Sequence, residues 1–280
     1  MLYPQFLSSY RQKRIRSIRP TNFLSVADGI IAWKKADNGS EPDGYLINDK
    51  YLENAGTTPG DWYPIALGRL GIQDNNEGYL AVIKDRVEER YRESGRLSAA
   101  KATEWHRIAL AVLAMGGDPT NFGTDENGAP INLIADGTYD RGKTTPLGRQ
   151  GINGWIWGLI TLDSMRYAVP DGAYNTRDDI IVEIISKQLS DGGFALSSDD
   201  ADPDITAMAI TALAPYYNSE KTYSYHRKAL SADESKTVHE VVDEAVLCLS
   251  RLQLDTGDYK SWGTQNVEST DWAGGGAVQS

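Results

Sequence analysis

Carboxylates and tryptophans recur at one kind of place along the chain. Asp61-Trp62, Glu104-Trp105-His106, the stretch from Asn153 through Trp155 to Trp157, Asp202-Pro203-Asp204 and the stretch from Glu268 to Asp271 each open an apolar run. Side chains of these types offer general acid–base chemistry, and two acids facing each other would suit cleavage of a glycosidic bond. The tryptophans would supply flat apolar walls for isoprenoid, corrinoid or sugar faces. His106 is the one histidine in the set and would serve as a proton shuttle. Each residue also has a plainer reading. An acid at a helix start caps free N–H groups or meets the positive end of the dipole. A tryptophan there wedges between helices, and a histidine there is a hydrogen-bonded core residue.

Metal chemistry finds little support. Cys248 is the only cysteine, so neither an intrachain disulfide nor a Cys-rich zinc site is expected. It sits between Leu247 and Leu249 and reads as core packing. His226 and His239 lack ligand spacing. The acid-rich run Ser198–Asp204 lacks the glycine and the distal glutamate of a calcium loop and reads as a solvated turn. No metal and no cofactor is expected. The chain has 280 residues and a formal net charge of −11. Residues 1–20 hold five basic residues and no acid, so the remainder carries −16. That balance argues against nucleic-acid binding, and no apolar run is long enough to span a membrane. The basic start has no apolar segment after it, so it does not read as a signal peptide. It reads as a flexible leader or as a contact for an anionic surface.

The elements that must hold these residues alternate in kind. Leu80, Ile83, Val87 and Tyr91, then Ile180, Ile181, Ile184, Ile185 and Leu189, then Val238, Val241, Val242, Ala245, Val246, Leu249 and Leu252 follow the helical period on one face only. Between them lie Pro64–Leu70, Ile108–Met115, Trp155–Leu162 and Thr206–Leu213, apolar nearly all round. A helix without a polar face must be covered on every side. Two layers of helices satisfy this, the amphipathic ones outside and the apolar ones inside. No alternating strand pair with a tight turn is evident, so a sheet is not expected. With Trp62, Trp105, Trp155 and Ile205 taken as equivalent, the spacings are 43, 50 and 50 residues, one helical hairpin with its loops per repeat. A helical solenoid is the alternative and predicts a more even period. If the inner helices run parallel, their N-termini share one mouth, and Asp61, Trp62, Glu104, Trp105, His106, Trp155, Trp157, Asp202, Asp204, Glu268 and Asp271 would border it.

Two loops repeat as well. Lys187–Phe194 and Leu252–Trp262 each place a glutamine at a helix end, then a glycine-containing turn, then an aromatic. The glutamine would bond orphan carbonyls and the aromatic would pack over the turn.

These loops resemble the QW-type repeats of terpenoid cyclases and protein prenyltransferase β-subunits. The stretches 56–71, 101–121, 150–160 and 200–217 resemble the prenyltransferase and squalene oxidase repeat proteins of Firmicutes, many of them cell-surface proteins. The likeness covers roughly residues 22–271. It implies an all-α fold, an α/α toroid of helical hairpins, with residues 1–20 a basic leader, 21–271 the toroid domain and 272–280 a tail outside the repeat. Family cyclases use a DxDD motif. Asp202 and Asp204 match it, with Asp204 in the proton donor's place, while Ile205 replaces the last acid. Zinc prenyltransferases bind the metal through Asp, Cys and His, and the only cysteine here, Cys248, reads as core packing instead. Corrinoid carriers share the fold but match no residues here. The resemblance therefore implies a non-catalytic ligand- or partner-binding module of a bacterial surface protein. A cyclase-like lyase or transferase acting through Asp204 on an isoprenoid, or a carbohydrate-active enzyme, is the alternative. An isoprenoid-like molecule or a glycan is the ligand implied. Gly274-Gly275-Gly276 is not expected to hold a helix. The last inner helix would then be aborted, leaving an incomplete toroid open to self-association.

Overall fold

The computed structural model describes the backbone of residues 20–141, 146–261 and 263–279, and the side chains of residues 25–141, 146–261 and 263–274. The segment expected to be a flexible leader lies outside them up to Arg19, as does Trp262 of the second loop motif. The chain is mostly α-helical. The helices are α1 (Pro20–Asn38), α2 (Asp49–Leu52), α3 (Thr58–Leu70), α4 (Asn76–Ser94), α5 (Ala102–Ala114), α6 (Leu133–Gly137), α7 (Ile152–Asp163), α8 (Arg177–Ile185) and α9 (Pro203–Leu213), followed by α10 (Val238–Leu252) and α11 (Val267–Gln279). No helix among the described residues is long and apolar enough to cross a membrane.

The two kinds of helix differ in burial as their sequences require. On α4 the buried stripe is Tyr79, Ile83, Val87 and Tyr91, one residue every fourth position. Tyr79 leads this stripe, where the sequence period suggested Leu80; Leu80 is half-buried beside it. On α8 and α10 the apolar residues are likewise buried along one face, and each helix starts in a capping box, Thr176 with Asp179 and Thr237 with Glu240. The apolar helices α5, α7 and α9 are buried over most of their circumference. In chain order, α3 packs on α5, α5 on α7, α7 on α9 and α9 on α11. Small residues allow this closeness. A Cβ on Gly68 would collide with the Ala114 carbonyl where α3 meets the end of α5. On α1, Val26, Ile30 and Trp33 form an exposed apolar stripe.

The repeated loops share one hydrogen-bond pattern. The Gln188 amide donates to the Gly192 carbonyl at 2.8 Å, and the Gln253 amide donates to the Gly257 carbonyl at 2.8 Å. Leu189 N–H meets Gly193 O at 2.9 Å, and Leu254 N–H meets Asp258 O at 2.9 Å. Phe194 N–H donates to the Thr206 hydroxyl and Tyr259 N–H to the Thr270 hydroxyl, tying each loop to the first turn of the next apolar helix. Tyr259 therefore stands where Phe194 stands. Gly192 takes a φ of +89°, which a glycine adopts without strain.

Two expectations are corrected. The described residues include two short antiparallel hairpins, β1 (Thr222–Arg227) with β2 (Ala232–Thr237) and β3 (Tyr259–Ser261) with β4 (Thr264–Asn266). Along β1, Tyr223, Tyr225 and Arg227 alternate inward, but β2 is polar after Ala232, so the pair carries only half of the usual signal. Arg227 explains why β1 is held here. Its buried guanidinium donates to the Gln188 and Leu189 carbonyls just after α8 and pairs with Glu234 and Glu244. The second correction concerns α11, which continues through Gly274–Gly276. The Asn266 side chain accepts from Ser269 N–H at 3.0 Å and opens the helix, while Ser269 and Ala273 are buried in a helix packed along α9. Tertiary packing outweighs the low helix propensity of glycine.

The Gln188 amide also donates to the Val241 carbonyl at 2.9 Å, so it links the α8 loop to α10. Gln188→Ala leaves two buried carbonyls without this donor and is expected to cost about 2–3 kcal/mol. Gln253→Ala, at a half-buried position, is expected to cost under about 1 kcal/mol. Urea unfolding measures both, and a cost under about 0.5 kcal/mol for Gln188→Ala would contradict its linking role.

Candidate functional site

The first two turns of five helices meet at one cavity of about 530 Å³. α3 supplies Thr58 and Trp62, α5 supplies Thr103 and Arg107, α7 supplies Asn153 and Trp157 with Gln150 just before it, α9 supplies Met208, and α11 supplies Glu268, Asp271 and Trp272. Four of these helices contribute a pair four residues apart: Thr58 and Trp62, Thr103 and Arg107, Asn153 and Trp157, Glu268 and Trp272. That spacing stacks both side chains on one helix face, so the wall has a polar tier and a larger tier beneath it. On α9, Met208 belongs to the larger tier and Asp204 holds the corresponding polar position, though it is not part of the lining. The tryptophans of non-sequential helices touch. Trp62 and Trp157 have ring centroids 5.7 Å apart at 57°, and Trp157 and Trp272 lie 6.0 Å apart at 88°.

Three of the sequence-derived ligand-binding candidates, Trp62, Trp157 and Glu268, line the cavity together with Asp271. The others stand elsewhere, each with defined surroundings. Asp61 is fully buried. It accepts from Gly56 N–H at 2.7 Å, from the Tyr79 hydroxyl at 2.7 Å and from Arg107 Nε at 2.8 Å. Burial raises its carboxyl, and these donors work against the rise. Glu104 pairs with Arg90 at 2.9 Å. Trp105 is buried, donates its indole N–H to the Tyr91 hydroxyl and lies under the Arg141 guanidinium at 3.9 Å. Trp155 is half-buried against Gly148. Asp202 caps α9 by accepting from Ile205 N–H at 3.0 Å. Asp204 lies beside Ser269; burial raises its carboxyl, the Ser269 hydroxyl lowers it, and nearby Asp202 and Glu268 raise it further.

His106 is fully buried, with Nε2 2.7 Å from the Gly137 carbonyl. That contact requires the proton on Nε2, and Nδ1 has no hydrogen-bond partner. Burial pushes its pKa down to about 4. The ring is neutral at pH 7 and is walled off from the cavity, which is a core role.

Sequence reasoning missed Thr58, Thr103, Arg107, Gln150, Asn153, Met208 and Trp272. Arg107 is the most engaged of them. Besides Asp61 it donates to Gly56 O at 2.9 Å and to the Thr58 hydroxyl at 3.3 Å. The Thr103 hydroxyl donates to Gln150 Oε1 at 2.9 Å. By contrast, Glu268 and Asp271 have no cationic partner within ion-pair distance among the described residues. No group of three or more His, Cys, Asp or Glu side chains is placed to hold a metal ion among the described residues.

Two outcomes test these assignments. Asp61→Asn leaves the largely buried Arg107 guanidinium without its counter-charge and is expected to cost about 3–5 kcal/mol by chemical unfolding. His106 binds its proton more weakly when folded, so the unfolded chain takes up more protons between the folded value near 4 and the unfolded value near 6.5. Stability is therefore expected to fall by about 2–3 kcal/mol from pH 7.5 to pH 4.5 through this group. His106→Gln removes that part of the slope, and an unchanged slope would exclude His106 as its source. No family model, no curated protein and no solved structure matches the chain.

Proposed function

We propose that the chain is an α/α toroid of the terpenoid-cyclase type that serves as a non-catalytic binding module, displayed on a bacterial surface, with its ligand held in the cavity at the helix starts. The observation that carries this reading is the convergence of five helix N-termini on one tryptophan-walled cavity. The fold reading is supported by the shared loop geometry at Gln188 and Gln253 and by contact between tryptophans of α3, α7 and α11, helices that are not sequential neighbours. Parallel helices packed in series bring such side chains together when the series curves round.

Catalysis by a cyclase-type acid has weaker support. A proton donor must project into a closed, mostly apolar cavity. Asp202 is engaged as a helix cap, and Asp204 is outside the cavity lining.

A thermal-shift screen with isoprenoid alcohols, corrinoids, oligosaccharides and small organic cations tests the binding reading. A ligand at about a hundred times its Kd adds about 2.7 kcal/mol of stability, a rise of several degrees in Tm for a chain of this size. Trp62→Ala is expected to abolish the rise; losing the ring contact with Trp157 costs about 1–2 kcal/mol, so the free variant is expected to melt several degrees lower but cooperatively. Conversion of an isoprenoid diphosphate or squalene to a cyclic product, lost in Asp204→Asn, would replace this reading with the cyclase one.

A further inference from the structure

The cavity's shape and charge narrow the class of ligand, on the reading that the cavity binds one. The tryptophan rings meet at 57° and 88°, so they form a corner rather than a shared platform. An oligosaccharide lies along a continuous aromatic platform, and Trp62, Trp157 and Trp272 share no common plane to form one. A compact group that can touch several ring faces and edges fits a corner better.

Charge selects further. Arg107 lines the cavity, but its guanidinium is held by Asp61, Gly56 O and the Thr58 hydroxyl. Asp61 cancels its charge at 2.8 Å. Glu268 and Asp271 remain, exposed and uncompensated among the described residues, and Glu268 is close enough to Asp204 to help hold that carboxyl above its ordinary value. A neutral apolar chain entering here would desolvate carboxylates without replacing their water, which is costly. A cation would gain from both the carboxylates and the negative faces of the indoles. A simple ammonium is strongly hydrated, whereas a methylated one gives up water easily and presents methyl groups to the rings.

We propose that this cavity is a binding site for a quaternary or methylated ammonium group, held in the corner of Trp62, Trp157 and Trp272 with Glu268 and Asp271 as counter-charges. The volume leaves room for a longer substituent on the nitrogen.

Calorimetric titration with choline chloride tests this, with 3,3-dimethyl-1-butanol as the neutral molecule of the same shape. Choline is expected to bind at least about tenfold more tightly than the alcohol, and more weakly as salt is raised. The double variant Glu268→Gln with Asp271→Asn, at two exposed positions, is expected to lower choline affinity by about fivefold or more while lowering Tm by no more than a few degrees. Equal binding of the alcohol and choline overturns the cation assignment. Binding of maltotriose or farnesol without choline also overturns it and leaves the binding module standing. No binding by any of these, with none in the wider thermal-shift screen, overturns both readings.

Discussion

The buried carboxylate of Asp61 organises this end of the molecule. It has no exposure to water, so its charge is tolerable only because three donors reach it from three places: Gly56 before α3, Tyr79 on α4 and Arg107 on α5. Removing any one leaves a polar group without a partner. That requirement fixes the first turn of α3 against α4 and α5. The same contact sets two parts of the cavity wall. Trp62 follows Asp61 in the chain, so with Asp61 turned into the core its side chain points about 100° away, toward the cavity. Arg107 is turned so that its charge is neutralised at the wall. A stability element and a site element are here one residue apart.

The helix order and the alternation of amphipathic with apolar helices were legible in the sequence because burial imposes a period that composition records. The common helix starts were legible for the same reason. The rotation of each helix about its own axis was not. Equating Trp62, Trp105, Trp155 and Ile205 put the repeat two or three residues out of register. The cavity instead aligns Trp62, Arg107, Trp157, Met208 and Trp272. The Thr206 and Thr270 hydroxyls, each holding the loop before its helix, stand two residues before Met208 and Trp272 and fix this register. In it Trp105 corresponds to Gly60 and Thr206, core positions, and His106 corresponds to Asp61. The two-residue offset separates a buried face from a lining face. Only tertiary contacts such as Trp105 with Tyr91 and Arg141 decide it.

The hairpins and the end of α11 escaped for a different reason. Local signals there run against the outcome, and partners distant in sequence decide it. β1 is held by Arg227 capping carbonyls nearly forty residues earlier, and α11 by its length along α9. A polar second strand or a glycine triplet predicts loop when read alone.

The acids at the mouth need no ligand to account for them. Helices that bring their N-termini together bring positive dipole ends together, and carboxylates there lower the energy of the fold. Asp202 does so as a cap, and Asp61 does so within the core. Such acids also repel one another, as Asp202 and Glu268 do Asp204. Tryptophan has no such structural reason to stand at the rim. Trp62 keeps 40% of its surface exposed beside the half-buried Trp157 and Trp272, although turning it inward would bury more apolar area. An exposed indole beside uncompensated carboxylates is what the fold does not require. It is therefore the part of the site that points beyond stability to recognition of a ligand.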